Sequence, residues 1–128
     1  TLFSLGCGRL FEGTPAQMLD SLDRLAALPG PTQVCCTHEY TLSNAAFALT
    51  VDPDNIALRR RAEEVRSLRS ASQPTLPSTL ALEAATNPFM RCDTDAIRGA
   101  IAERLGRAPA DRIDTFAELR RWKDGFRG

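Results

Sequence analysis

Hydrophobic residues recur every three or four positions in five segments of the chain. Such spacing places side chains on one face of a helix and predicts amphipathic helices. The five sets are Met18, Leu22, Leu25 and Ala26; Leu42, Ala45, Ala46 and Leu49; Leu58, Ala62, Val65 and Leu68; Ile97, Ile101 and Leu105; and Phe116, Leu119 and Trp122.

Several of these segments carry start and stop signals. Thr14-Pro15-Ala16-Gln17 combines an N-cap, a proline at the first helical position and a capping-box glutamine, and Pro29-Gly30-Pro31 ends the helix. Asp93 or Thr94 begins another helix, which Gly106 ends. The other predicted starts are Thr41, as an N-cap, and Thr115 with Glu118, as a capping box.

Short apolar runs with little helical periodicity predict strands at Leu2–Leu5 and Gln33–Cys36, the second of them buried. The order strand, helix, strand, helix over residues 1–52 is typical of an α/β layer. After Asp52-Pro53 the pattern is mainly helical, although 70–88 holds three prolines and predicts a loop. We therefore expect a layered portion over 1–52 and a helical domain over 53–128.

The overall charge argues against a nucleic-acid partner. Sixteen basic residues balance sixteen acidic ones, with a net charge of −3 over 1–64 and +3 over 65–128. A nucleic-acid binder that uses the arginine-rich second half is one alternative. Against it stand the neutral total and two expected helical pairs, Arg59 with Glu63 and Arg60 with Glu64.

Other sequence features bear on membrane association, cellular compartment and the extent of the chain. No apolar run approaches the roughly 20 residues of a membrane span, so we expect no membrane partner. Four cysteines without a secreted disulfide pattern indicate buried thiols in a reducing compartment, hence a cytoplasmic location. Thr1 to Gly8 resembles a strand inside a domain rather than a signal peptide, which suggests a piece of a larger protein.

The densest group of candidate chemical residues follows the second predicted strand, where ligands commonly bind in α/β layers. His38 offers an imidazole to a metal or a proton, although a lone histidine is more often structural. Glu39 is a candidate ligand, a ligand-supporting residue, or simply a charge at a helix N-terminus, the last being favoured. Tyr40 offers a hydroxyl for a substrate or a ring for packing.

Basic residues provide candidate anion contacts. Gly6-Cys7-Gly8-Arg9 permits a tight turn that projects Arg9, although an exposed arginine on a loop is the simpler interpretation. Arg120 and Lys123 are three residues apart and share a helix face. They are as well explained by favourable placement near a helix C-terminus as by a carboxylate clamp.

Four segments resemble the glyoxalase II, or hydroxyacylglutathione hydrolase, family. Thr1 to Thr14 resembles one family signature, and Cys36-Thr37-His38-Glu39-Tyr40-Thr41 a second, with Thr37 where glycine or alanine is usual. Asn87-Pro88-Phe89-Met90-Arg91 and Arg120 to Phe126 resemble two more. The resemblance implies the C-terminal part of a metallo-β-lactamase-like αββα sandwich followed by a helical C-terminal domain.

The resemblance also implies a reaction. Family members hydrolyse the thioester S-D-lactoylglutathione to D-lactate and glutathione, in methylglyoxal detoxification. Two metal ions, usually zinc and in some members iron or manganese, hold the attacking hydroxide. By position, His38 resembles a metal ligand, and Arg9, Tyr40, Arg120 and Lys123 resemble residues that hold glutathione. Phe11 stands where some relatives have a substrate-contacting tyrosine, so that only its ring remains for packing.

Most of the family's metal ligands are absent from this sequence. Its Thr-His-x-His-x-Asp-His motif does not occur, and its bridging aspartate precedes the position of Thr1. We therefore expect a C-terminal half with incomplete metal sites, with no catalytic residue of its own and no activity alone. Its expected partners are the missing N-terminal half, a glutathione thioester and, through exposed apolar surface, other copies of itself. A non-catalytic module that binds glutathione conjugates is the alternative.

Overall fold

The computed structural model describes all residues from Thr1 to Gly128 and is mostly helical. The strands are β1 (Leu2–Phe3), β2 (Gly6–Cys7), β3 (Gln33–Val34) and β4 (Ser78–Thr79). The helices are α1 (Pro15–Ala26), α2 (Thr41–Val51), α3 (Ile56–Ser70), α4 (Leu80–Thr86), α5 (Asp95–Leu105) and α6 (Arg112–Gly125), with a 3₁₀ turn at Pro88–Met90. None of the helices combines the length and hydropathy needed to cross a bilayer.

The strands form two small antiparallel sheets instead of one layer. β1 pairs with β2 in a hairpin that places Leu2 opposite Cys7, and β3 pairs with β4 so that Val34 lies opposite Ser78. The predicted strand over Leu2–Leu5 is thus interrupted by a turn at Ser4-Leu5. The sandwich that the family resemblance implies is not seen in these residues, since each sheet has only two strands.

Helices α1 and α5 begin and end where the sequence predicts. Thr14 and Gln17 form the capping box of α1, in which Thr14 Oγ1 accepts from Gln17 N and Gln17 Oε1 accepts from Thr14 N. Thr94 caps α5, and Gly106 ends it in the left-handed conformation, with a φ of 72°. These ends depend on side chains close in sequence, which explains why local patterns identify them.

Two predicted helix starts are wrong. Thr41 is the first residue of α2 and not its cap, since Tyr40 occupies the cap position, and the Thr41 hydroxyl lies 2.6 Å from Thr75 Oγ1. Helix α6 begins at Arg112 with Asp111 as N-cap, so Thr115 lies inside the helix. At α6 another residue, Asp111, makes the capping contact that the local pattern assigns to the threonine, whereas α2 begins without a side-chain cap.

The segment predicted as a loop, 70–88, contains β4 and α4. Helix α4 has only seven residues, too few for a clear helical period, and its residues Leu80, Glu83 and Thr86 are buried. The prediction of a buried strand over 33–36 is also wrong in part, since Cys35 is exposed and only Val34 is fully buried. In both segments, packing against distant parts of the chain determines the secondary structure and the burial.

Contacts between neighbouring side chains also differ from some predictions. The expected pairs of Arg59 with Glu63 and Arg60 with Glu64 do not form; Arg66 instead pairs with Glu63. On α2 the predicted face is shifted, because Leu42 and Ala46 are exposed. The buried residues of α2 are Thr41, Asn44, Ala45, Phe47, Ala48 and Val51.

The hydrophobic core has two adjoining parts that share α2. The larger joins α1, α2, α5, α6 and the 3₁₀ turn, and its members are Cys7, Leu19, Leu22, Phe47, Val51, Phe89, Cys92, Ile97, Ile101, Phe116 and Leu119. The smaller lies between α2 and α3 and contains Leu5, Ala45, Ala48, Leu58 and Ala62. Both parts combine residues from the two sides of position 52, and the domain division at that position stays a prediction.

Candidate functional site

A cavity of about 610 Å³ lies where the β1–β2 hairpin, the start of α2 and the end of α6 meet. It contains the six residues that the family resemblance assigns to metal or glutathione binding, namely Arg9, Phe11, His38, Tyr40, Arg120 and Lys123, but not the other candidate, Glu39. They come from three distant stretches of sequence, so only the fold brings them together. The remaining lining residues are Thr1, Phe3, Cys7, Gly8, Thr37, Ser43 and Asn44.

Three aromatic rings form one wall of the cavity. The rings of His38 and Tyr40 are stacked, with centroids 5.0 Å apart and planes 4° from parallel. The Phe3 ring lies 5.1 Å from that of Tyr40 and 6.3 Å from that of His38. Both His38 and Tyr40 are exposed, so their polar atoms are accessible to a ligand.

Only one ring nitrogen of His38 is free for a ligand. Its Nδ1 lies 3.1 Å from the Thr37 hydroxyl, and this contact leaves Nε2 without a partner. The Thr37 hydroxyl is what makes this contact, which the glycine or alanine expected at this position would not provide. An imidazole with one nitrogen held and the other open is a suitable metal ligand.

The chain does not supply the other ligands of a metal site. His38 is its only histidine, and no group of three or more histidine, cysteine, aspartate or glutamate side chains converges in the structure. Ions of the zinc type need three or four protein donors each. The residues present therefore do not make up a two-metal site by themselves.

Glu39 makes a structural contact with Thr75 that is none of the three roles considered from the sequence, which are a ligand, a ligand-supporting residue and a charge at a helix N-terminus. Its carboxylate accepts from Thr75 N at 2.6 Å and from Thr75 Oγ1 at 2.8 Å. Partial burial alone would raise the pKa of Glu39, but the hydrogen bonds from Thr75 and Thr41 outweigh it and hold that pKa below its usual value. The carboxylate thus ties the segment with His38 and Tyr40 to the loop before β4.

Three cations line the opposite side of the cavity, and one carboxylate lies behind them. Arg120 is only 5% exposed; it donates from Nη1 to the Cys7 carbonyl oxygen at 2.6 Å and from Nε to Asp124 Oδ1 at 2.9 Å. Arg9 Nε lies 3.8 Å from the same Asp124 oxygen. Asp124 therefore orients both guanidinium groups, a role that the sequence analysis did not recognise.

Lys123 is the third cation. The structure gives it no ion-pair partner, whereas Arg9 and Arg120 share Asp124. Burial lowers the pKa of Lys123, and repulsion from Arg120 and Arg9 lowers it further. Three cations against one carboxylate leave an excess of positive charge at this end of the cavity, which suits an anionic group such as a carboxylate.

Cys7 lines the cavity but is a poor nucleophile. Burial raises its pKa to about 11, against an opposing effect of Arg120. Its thiol is therefore protonated at neutral pH. The cavity thus offers an aromatic wall, an open imidazole nitrogen and a cationic end, which together favour binding of a ligand that carries a carboxylate.

Comparison with known proteins identifies relatives of this chain. The family model described as "Hydroxyacylglutathione hydrolase C-terminus" matches residues 39–126. The chain is 63% identical over 127 residues to the hydroxyacylglutathione hydrolase of Xanthomonas axonopodis pv. citri (strain 306), and 59% identical over 126 residues to that of Xylella fastidiosa (strain 9a5c). These alignments cover 99% and 98% of the chain but 50% and 49% of the relatives, so the chain spans about half the length of the curated relatives it matches.

Proposed function

Because the chain belongs to the hydroxyacylglutathione hydrolase family, we propose that it forms the glutathione-binding half of a thioester hydrolase. The observation that carries this proposal is the convergence of Arg9, Tyr40, Arg120 and Lys123 on one cavity. The whole enzyme would hydrolyse S-D-lactoylglutathione to D-lactate and glutathione. The fold of the whole would be a metallo-β-lactamase-like sandwich with a helical domain after residue 52.

Binding of the glutathione part is the contribution of the chain's own residues. A carboxylate of the tripeptide would bind at the cationic end, between Arg9 and Lys123. The buried Arg120 would contribute a further positive charge next to them. Tyr40 would donate its hydroxyl to the peptide portion, and the exposed ring of Phe11 would cover it. These contacts would hold the thioester toward the open nitrogen of His38.

The N-terminal half of the enzyme would complete the metal site. His38 would give one ligand of the two metal ions, which are most often zinc in this family, with iron or manganese in some members. The remaining ligands would come from residues that precede Thr1 in the family pattern. Four free cysteines suit a reducing compartment, and we propose a cytoplasmic location on that ground.

Calorimetric titration of the chain with glutathione tests the binding role. We expect Arg9→Met and Lys123→Met each to weaken binding about tenfold, because each removes a charge-assisted contact with a carboxylate. Arg60→Met is the matched control, since Arg60 is exposed on α3 and does not line the cavity. Absence of glutathione binding, or equal weakening by the control, would contradict the proposal.

A second prediction concerns turnover. The chain alone, supplied with zinc, is expected to show no thioesterase activity, because one imidazole cannot hold two ions. The measurement is the rate of S-D-lactoylglutathione hydrolysis by the purified chain. A rate well above background that disappears in His38→Ala would refute this expectation.

Glutathione binding without turnover would also be the behaviour of a non-catalytic binding module. The intact cavity and the lack of converging metal ligands in this chain fit that alternative. Joining the chain to the N-terminal half of a relative separates the two. Restored hydrolysis would support the hydrolase, and continued inactivity with a metal-loaded N-terminal half would support the binding module.

A further inference from the structure

The most deeply buried carboxyl group of the protein lies outside the cavity. Glu83 on α4 is 0% exposed. Its Oε2 accepts from Ser4 Oγ at 2.8 Å and from Ser78 Oγ at 2.6 Å. Its Oε1 accepts from Leu5 N at 2.8 Å and from Asn87 Nδ2 at 3.1 Å. Burial of a carboxyl group is costly unless its oxygens are hydrogen-bonded, and here four donors surround it.

Two of these donors belong to the turn between β1 and β2. Leu5 in that turn has a φ of 60°, in the left-handed region that is uncommon for a residue with a side chain. Such a conformation persists only where the surroundings impose it. Glu83 imposes this conformation by accepting a hydrogen bond from the Leu5 amide. Burial of the Leu5 side chain in the smaller core also stabilises it.

Two asparagines complete the support of this turn. Asn87 Nδ2 donates to the carbonyl oxygens of Phe3 at 3.1 Å and Gly6 at 3.0 Å. Asn44 Nδ2 donates to the Ser4 carbonyl oxygen at 3.1 Å from the α2 side. The turn is therefore held from both sides, with Glu83 at the centre of the α4 side.

The hairpin that this turn closes carries much of the cavity wall. Thr1 and Phe3 on one side of the turn, and Cys7, Gly8 and Arg9 on the other, all line the cavity. A shift of the turn would thus move the guanidinium of Arg9 relative to Lys123 on α6.

We propose that Glu83 is a positioning residue that fixes the β1–β2 hairpin and thereby places Arg9 in the cavity. It contacts no ligand in this arrangement and acts through the Ser4-Leu5 turn. The consequence for ligand affinity rests on the proposed glutathione-binding function, whereas the consequence for the hairpin does not.

The first experiment measures the hairpin alone. In the ligand-free chain, a thiol reagent is followed by mass spectrometry at Cys7, on β2, and at Cys92, which belongs to the same larger core but is not part of the hairpin. We expect Glu83→Ala to speed Cys7 modification about tenfold, as loss of buried hydrogen bonds loosens the turn. Cys92 is expected to keep its slow rate, because the rest of the core is unchanged.

The second experiment measures ligand affinity. Glu83→Ala is expected to weaken glutathione binding about tenfold by misplacing Arg9. Relative to Glu83→Ala, Glu83→Gln is expected to restore glutathione affinity and to slow the modification of Cys7. The glutamine oxygen can still accept from the Leu5 amide, and the hydroxyls of Ser4 and Ser78 can rotate to accept from the glutamine NH₂. Glu103→Ala, at an exposed position on α5, is the matched control and should leave both measurements at the wild-type values.

The outcomes separate the two proposals. If the unmodified chain does not bind glutathione, the proposed function fails, while the Cys7 rates still decide the role of Glu83. Unchanged Cys7 reactivity in Glu83→Ala, or equal acceleration at Cys7 and Cys92, would overturn the positioning role. If Glu83→Ala does not fold, Ser78→Ala removes a single donor, and selective acceleration at Cys7 is again the expected result.

Discussion

Lys123 differs from the other cations of the cavity in having a charge that titrates. Arginine remains protonated at any pH at which the protein is folded, but the pKa of Lys123 lies below that of an ordinary lysine because of burial and the nearby Arg120 and Arg9. Binding of a carboxylate requires the protonated amine. Affinity should therefore be full below the lowered pKa and fall as the pH rises through it, before an ordinary lysine with a pKa of 10.5 would titrate.

Titration of the chain with S-methylglutathione over neutral to alkaline pH tests this prediction. We expect the affinity of the wild-type chain to decline on the alkaline side, relative to Lys123→Arg, whose charge persists. Lys123→Met should be weaker throughout and lack that additional decline. Parallel pH profiles for the wild type and Lys123→Arg would show that the lysine does not titrate in this range.

Single residues also show where sequence reasoning reaches its limit. His38, Arg9 and Lys123 are recognisable from type and motif. The sequence leaves open whether Arg120 clamps a ligand, and in the structure its guanidinium also supports Cys7 and Asp124 from a buried position. The pair with Asp124 has the i,i+4 spacing of a helix, but the contact with Cys7 joins residues 113 positions apart, and no local pattern encodes it.

At the scale of elements, α5 provides a direct test of helix physics. Gly106 ends α5 with a φ of 72°, whereas Gly99 lies within the helix with open space where a Cβ would be. Gly99→Ala should raise the free energy of unfolding by about 1 kcal/mol, because alanine loses less backbone entropy in a helix. Gly106→Ala should lower it by about 1 kcal/mol, because a Cβ is strained in the left-handed region.

Urea unfolding followed by circular dichroism measures both changes. Each variant is the matched control of the other, since the same methyl group is added once within α5 and once at its C-terminal end. Stabilisation by both substitutions would mean that Gly106 does not need its left-handed conformation.

The elements that the sequence predicts well are those fixed by neighbours. The capping box of α1 and the glycine end of α5 need only residues within a turn of the helix. Helix α4 is not predicted because its seven residues give no clear helical period, although Thr79 caps its start by accepting from Leu82 N. Its packing includes the buried Leu80 and the hydrogen bonds that Glu83 accepts from Ser4 and Leu5.

At the scale of the whole molecule, apolar surface remains exposed on one side of the sheets. A groove between α1 and the β3–β4 sheet is lined mainly by apolar side chains, among them Leu2, Leu25, Leu28, Val34 and Leu80. Patches of this kind favour association. The prediction that isolated chains self-associate therefore remains, and light scattering after size exclusion measures it.

Self-association should increase with protein concentration and decrease in Leu28→Glu, which puts a charge at the exposed edge of this groove. The control is Ile56→Glu, which changes an exposed apolar residue on α3 outside the groove. A monomer at all concentrations, with no binding of a hydrophobic dye, would contradict the prediction.

The sequence by itself determined the family, the approximate course of five helices and six of the thirteen residues that line the cavity. It could do so because caps, helical faces and signature motifs are written in neighbouring residues. Only the tertiary structure decided that Leu2 to Cys7 is a hairpin, that Glu39 binds Thr75, and that Glu83 holds the turn of that hairpin. The contacts of Glu39 with Thr75 and of Glu83 with Leu5 join residues 36 and 78 positions apart, so packing of the whole chain fixes them; the hairpin itself is local but depends on Glu83 for its turn.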